Sequence, residues 1–86
     1  MGDYVHLNEV LRRIHHSLEA RVRRRISQAE MADHLEISTR TYIEYLRGTN
    51  APLAMRALLD ILAMLDDEEL VRTVRDWAKD RNKEII

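Results

Sequence analysis

Residues 27–48 read Ser27-Gln28-Ala29-Glu30-Met31-Ala32-Asp33-His34-Leu35-Glu36-Ile37-Ser38-Thr39-Arg40-Thr41-Tyr42-Ile43-Glu44-Tyr45-Leu46-Arg47-Gly48, and this stretch decides the fold. Ser27 and Glu30 form a capping box, in which hydroxyl and carboxylate satisfy amides that a helix start leaves unpaired. Ile26 and Met31 supply the apolar staple across it. A helix is therefore expected from about 28 to Leu35, with a break at Glu36-Ile37-Ser38. Ser38 is a second N-cap, stapled by Ile37 and Tyr42, and opens a helix from about 39 to 47. That helix stops at Gly48, the residue best suited to the left-handed conformation after a helix end. Two short helices joined by a three-residue break are the layout of a helix-turn-helix unit.

Upstream, Leu7, Val10, Leu11, Ile14, Leu18 and Val22 recur at three- and four-residue steps and predict an amphipathic helix over about 7–22. Downstream, Thr49 to Pro52 is a connecting loop. Residues from Leu53 to Leu65 then become apolar on nearly every side (Leu58, Leu59, Ile61, Leu62, Met64, Leu65), the pattern of a helix at the centre of a core. Asp66-Asp67-Glu68-Glu69 places four carboxylates where a helix start carries partial positive charge, and Leu65 with Leu70 repeats the staple. Leu70, Val71, Val74, Trp77 and Ala78 make the apolar stripe of this fifth helix, beyond which Lys79 to Glu84 is polar. The expected architecture is all-α: a compact bundle of four to five helices containing a helix-turn-helix. One domain over 1–86 is expected, with its core over about 7–78 and a frayed tail at 79–86.

Composition narrows the function. Two glycines and one proline in 86 residues suit helices better than a turn-rich β fold. The absence of cysteine excludes disulfides and thiolate zinc sites and fits a reducing compartment, so a cytoplasmic location is expected. No stretch has the length of a membrane span, and Met1 to Leu7 lacks the layout of a signal peptide, so no membrane association is expected. The net charge of −1 is unevenly spread. Residues 1–56 hold nine Arg against seven acidic residues (+2), and residues 57–86 hold five basic against eight acidic (−3). The N-terminal part is the side suited to a polyanion.

Little in the sequence points to catalysis. His6, His15, His16 and His34 lack an H-E-x-x-H arrangement, and the neighbours His15 and His16 project about 100° apart on a helix. All four are expected at the surface. There is no glycine-rich phosphate loop and no visible ligand pocket, so neither enzyme activity nor a cofactor or metal is expected.

Ser27-Gln28, Met31-Ala32, Leu35, Ile37-Ser38, Tyr42, Tyr45 and Arg47-Gly48-Thr49-Asn50-Ala51-Pro52 together resemble, without gaps, the motif of the Cro/lambda-repressor-like (XRE) family. The resemblance spans about residues 7–65. It implies that the 39–47 helix enters the DNA major groove and that small Ala32 sits where the two helices cross. The chain departs from the family pattern at three places. Glu36 replaces the usual turn glycine, at a cost of roughly 1 kcal/mol if its φ is positive, and a distorted turn is expected. Leu46 replaces a glutamate that pairs with an arginine of the first helix, which leaves Arg21 available to phosphate or to Glu44. Tyr42 and Tyr45 replace smaller aliphatics, and each must bury bulk or expose a hydroxyl.

The same resemblance assigns base reading to Thr39, Arg40, Ile43 and Glu44. Arg40 is the foremost of these, because a guanidinium can bond guanine O6 and N7 together; its alternative is an ion pair with Glu44 one turn on. Phosphate contacts are expected from Arg21, Arg23, Arg24, Arg25, Ser27, Gln28, Ser38, Thr41, Arg47, Thr49 and Asn50. Leu70, Val74 and Trp77 are the candidate homodimer interface, or else close the monomer core. The leading expectation is a dimeric repressor or autoregulator of a palindromic double-stranded operator. Two alternatives stand beside it: an antitoxin-like DNA binder with a protein partner, and a protein-interaction module of the same fold without DNA binding.

Overall fold

The computed structural model describes residues 6–81, all of whose regular structure is helical. The elements are α1 (Leu7–Val22), α2 (Gln28–His34), α3 (Thr39–Arg47), α4 (Leu53–Leu62) and α5 (Asp67–Arg81). They fall into two compact units that divide between residues 51 and 52. The frayed tail expected at 79–86 is helical as far as Arg81, and residues 82–86 lie outside the described residues.

In the first unit α3 packs against both α1 and α2. The local signals act as expected at the two caps: Ser27 Oγ accepts from the Glu30 amide at 3.0 Å and Ser38 Oγ from the Thr41 amide at 3.0 Å. The reciprocal half of the capping box differs. The Glu30 carboxylate turns away from Ser27 and takes a bidentate hydrogen bond from Arg24, at 3.0 and 2.7 Å, because a charge-assisted fork outcompetes a neutral amide donor.

The turn after α2 keeps its left-handed residue without glycine. Glu36 has φ 62, its amide donates to Asp33 O at 3.0 Å, and the Ile37 amide donates to Ala32 O at 3.0 Å. These two bonds are a Schellman closure. The distortion expected of this turn does not occur; Glu36 instead holds a conformation that strains a side chain. Gly48, φ 80, closes α3 in the same way through Thr49 N to Glu44 O at 3.1 Å. A Cβ at Gly48 would also come within 3.3 Å of Asn8 Cγ on α1, so packing and φ both favour glycine there.

The core consists of Ile26, Met31, Ala32, Tyr42 and Leu46, with Leu11, Leu18, Val22, Ile37 and Tyr45 packed around it. Ala32, only 1% exposed, is the most enclosed of the five. Both staples thus converge on one cluster: Ile26, Met31 and Tyr42 are buried in it and Ile37 packs against it.

Two expectations about the core are corrected. The inward face of α1 carries His15, 8% exposed, whereas Ile14 is 47% exposed. His15 lies four residues after Leu11 and three before Leu18, so it occupies the middle of the stripe that turns inward, one residue round from the expected line. It is not a surface histidine. The second correction concerns α4, expected at the centre of the core, none of whose residues is buried.

The second unit contains α4 and α5. Met64 N to Ile61 O and Leu65 N to Leu62 O tighten the chain after α4, which ends three residues before the expected Leu65. Asp66 Oδ1 then accepts from the Glu69 amide at 2.8 Å and starts α5. Asp67, Glu68 and Glu69 occupy its first turn and Lys79 and Arg81 its last, each sign at the dipole end that favours it.

Candidate nucleic-acid interface

α3 is anchored on one side and open on the other. Tyr42 and Leu46 are buried, four residues apart, while Thr39 and Arg40 are exposed. Ile43 and Glu44, the other two candidate base readers, are half-buried. Arg40 Nε lies 3.4 Å from Glu44 Oε2, so the intrahelical pair weighed from the sequence is present. An exposed pair of this kind contributes little to stability and leaves Arg40 free to exchange partners.

The anchor is a polar seam along α1. Asn8, Arg12, His15 and Glu19 recur at steps of four, three and four and share one face of the helix. Arg12 Nε donates to the Leu46 carbonyl at 2.8 Å, placing a cation at the C-terminal end of α3. Leu46 therefore receives Arg12 through its backbone, and its side chain lies in the core. His15 Nε2 is 2.8 Å from the Ile26 carbonyl and Nδ1 is 2.7 Å from the Tyr42 hydroxyl. A carbonyl only accepts, so Nε2 carries a proton, and in the neutral form of the ring Nδ1 accepts the Tyr42 O–H. Glu19 Oε2 accepts from the Ile26 amide at 2.8 Å and lies 3.7 Å from His15 Nε2.

This seam satisfies both backbone groups of Ile26 and the hydroxyl of Tyr42 in the interior. No buried side-chain polar atom among the described residues lacks a partner. The Ile26 hydrogen bond, aided by His15 and His16, holds the Glu19 carboxyl below the ordinary range, against the opposing effect of its partial burial. Burial, reinforced by the Glu19 charge, pushes the Tyr42 hydroxyl up.

The candidate phosphate contacts are placed in several environments. Arg21, Arg23, Arg25, Arg47, Ser27 and Gln28 are exposed. Arg24 is committed to Glu30, whose hydrogen bond raises the guanidinium pKa and lowers that of the carboxyl. Ser38 and Thr41 are tied to each other, the serine hydroxyl donating to Thr41 Oγ1 at 2.8 Å. Thr49 donates its hydroxyl to Glu44 O at 3.3 Å and Asn50 is half-buried, both just beyond the C-terminal end of α3.

The sequence shows no ligand pocket, yet the first unit contains a cleft of about 650 Å³. It brings Arg25, Ser27 and Gln28 together with Arg12, His16 and Glu19. The last three were not expected at a site; their spacing on α1 was the available signal. Of the candidate dimer residues, Val74 and Trp77 are exposed and Leu70 is half-buried. Among the described residues no cluster of His, Cys, Asp or Glu could hold a metal, and no helix is long and apolar enough to cross a membrane.

Comparison of the chain with protein-family models, with curated proteins and with solved structures gives no match.

Proposed function

We propose that this protein is a sequence-specific double-stranded DNA-binding transcriptional regulator of the helix-turn-helix type that residues 27–52 resemble. The observation that carries the reading is the two-sidedness of α3: Tyr42 and Leu46 are held in the interior while Thr39 and Arg40 project outward. A helix so held fits the width of the major groove, where Arg40 can address guanine and Thr39 a thymine methyl. Arg25, Ser27 and Gln28 supply backbone contacts that fix register without reading sequence. The protein binds rather than catalyses, and it acts in the cytoplasm.

Two copies are expected to associate through α5, using Leu70, Val74 and Trp77. Val74 and Trp77 are large apolar side chains open to solvent, Trp77 to the extent of 63%, and such exposure is costly unless a partner covers it. A dimer would read a palindrome with half-sites about 10 bp apart or a multiple of that.

The deciding experiment is selection of bound duplexes from a random pool, followed by affinity measured against salt. Enrichment of a two-fold symmetric site, bound with steep salt dependence, is the expected result. A pool that stays random, with binding indifferent to ionic strength, overturns the reading. Trp77→Glu, compared by sedimentation, separates a monomeric regulator from a dimeric one.

A further inference from the structure

The cleft of the first unit is richer in hydrogen-bond donors than its charges suggest. Its two carboxylates are already engaged: Glu30 by Arg24, and Glu19 by the Ile26 amide and, at 3.4 Å, by His16 Nδ1. The donors are not. Arg12 uses Nε for Leu46 and has no other hydrogen-bond partner among the described residues. The Arg25 guanidinium and the Gln28 amide have no side-chain partner among them, and the Ser27 hydroxyl, though it accepts from Glu30 N, has not donated its proton. Arg12, Arg25, Ser27 and Gln28, which carry these donors, thus line one cleft of about 650 Å³. That volume lies within the range of small-molecule sites and exceeds what a single backbone phosphate would fill.

We propose that this cleft binds a small free molecule carrying a phosphate group, gripped by Arg12 and Arg25 and hydrogen-bonded by Ser27 and Gln28. Guanidiniums suit the anion because their planar forks offer two parallel N–H donors to phosphate oxygens. Arg25, Ser27 and Gln28 are also the expected DNA-backbone contacts, so an occupied cleft competes with a duplex. That consequence, though not the site itself, rests on the DNA-binding reading.

Inorganic pyrophosphate is the probe, titrated into the full-length chain at constant ionic strength and followed by NMR of backbone amides and arginine Nε–H groups. Saturable shifts confined to Arg12, His16, Glu19 and Arg25 to Gln28 are expected. Arg25→Ala, which removes an exposed side chain with no hydrogen-bond or ion-pair partner among the described residues, weakens binding by about tenfold, whereas Arg13→Ala, on an exposed position of α1 outside the cleft, leaves it unchanged. Arg12→Lys keeps the charge but loses the fork, and weakens binding while the amide spectrum stays folded. Unsaturable shifts spread over all arginines, or full affinity in Arg25→Ala, overturn the proposal. A parallel titration with duplex distinguishes the two phosphate sources. If only the duplex moves the cleft signals, the cleft is a seat for backbone phosphate and the proposal fails. If pyrophosphate binds and no duplex does, the cleft stands and the regulator reading falls.

Discussion

The Tyr42 hydroxyl is hydrogen-bonded to His15 Nδ1 at 2.7 Å, with the two rings 5.8 Å apart and inclined by 29°, and this contact fastens α3 to α1 inside the core. Both nitrogens of the imidazole are satisfied, so the pair is a point at which a single atom can be removed and its effect measured.

Tyr42→Phe deletes the hydroxyl and leaves His15 Nδ1 buried without its hydrogen-bond partner. A loss of about 1–3 kcal/mol is expected in urea denaturation at pH 7. Burial raises the Tyr42 pKa, so its stabilising contribution is complete below the unfolded value near 10 and is lost as pH rises through the higher folded value. The alkaline limb of the stability curve should accordingly be shallower in the variant. A change of only a few tenths of a kcal/mol would show that the hydrogen bond is immaterial.

Glu19→Gln tests the opposite limb. The Ile26 amide lowers the folded pKa of Glu19, so its contribution is present above the unfolded value of about 4.3 and disappears as pH falls through the folded value. The variant should be less stable than the parent at pH 7, and the difference should shrink once the pH falls below the unfolded value and close as it passes through the lower folded value. A gap constant from pH 3 to 7 would contradict the assignment.

Glu36→Gly relieves a side chain held at φ 62. Removing the left-handed strain gains about 1 kcal/mol or more, and the extra freedom of glycine in the unfolded chain returns part of it. A net stabilisation below about 1 kcal/mol is expected, read as a rise in the urea midpoint with unchanged slope. A lowered midpoint would mean that the interaction the Glu36 side chain makes outweighs the strain.

Ala32→Leu adds three carbons at a position 1% exposed, between α2 and α3. Overpacking should cost about 1–3 kcal/mol and broaden the amide signals of both helices. Tolerance of leucine without loss would show that the two helices can separate freely.

Arg40→Ala tests the outer face of α3. On the DNA-binding reading it costs about 1–3 kcal/mol of affinity and relaxes preference at one base pair. Glu44→Ala, which removes a carboxylate 3.4 Å from Arg40 Nε, should tighten binding to unrelated duplexes by lessening repulsion from phosphate. Identical binding profiles for both variants and the parent would remove α3 from the interface.

The legible parts of this chain were those whose chemistry is local. The Ser27 and Ser38 caps, the Gly48 stop and the start of α5 each rest on bonds between residues three to five apart, which spacing alone reveals. The Glu30 carboxylate is not legible from spacing, because its choice between Ser27 and Arg24 is a competition that a guanidinium fork wins over an amide. The candidate base readers were legible only through the motif's resemblance, since periodicity does not say which side of a helix meets a ligand.

By itself the sequence determined that the chain is helical, where α1 and α3 begin and end, where α2 begins, and which apolar residues staple the two caps into one core. Only the tertiary structure decided that His15 turns inward while Ile14 faces solvent, that no residue of α4 is buried, and that Arg12, Glu19 and Arg25 border a common cleft. The physical reason is range. Caps and turns are fixed by hydrogen bonds within a single turn of chain, whereas the inward face of α1 is set by partners such as Tyr42, which is 27 positions away. A rotation of α1 by one residue leaves every local signal intact and changes all of those partners.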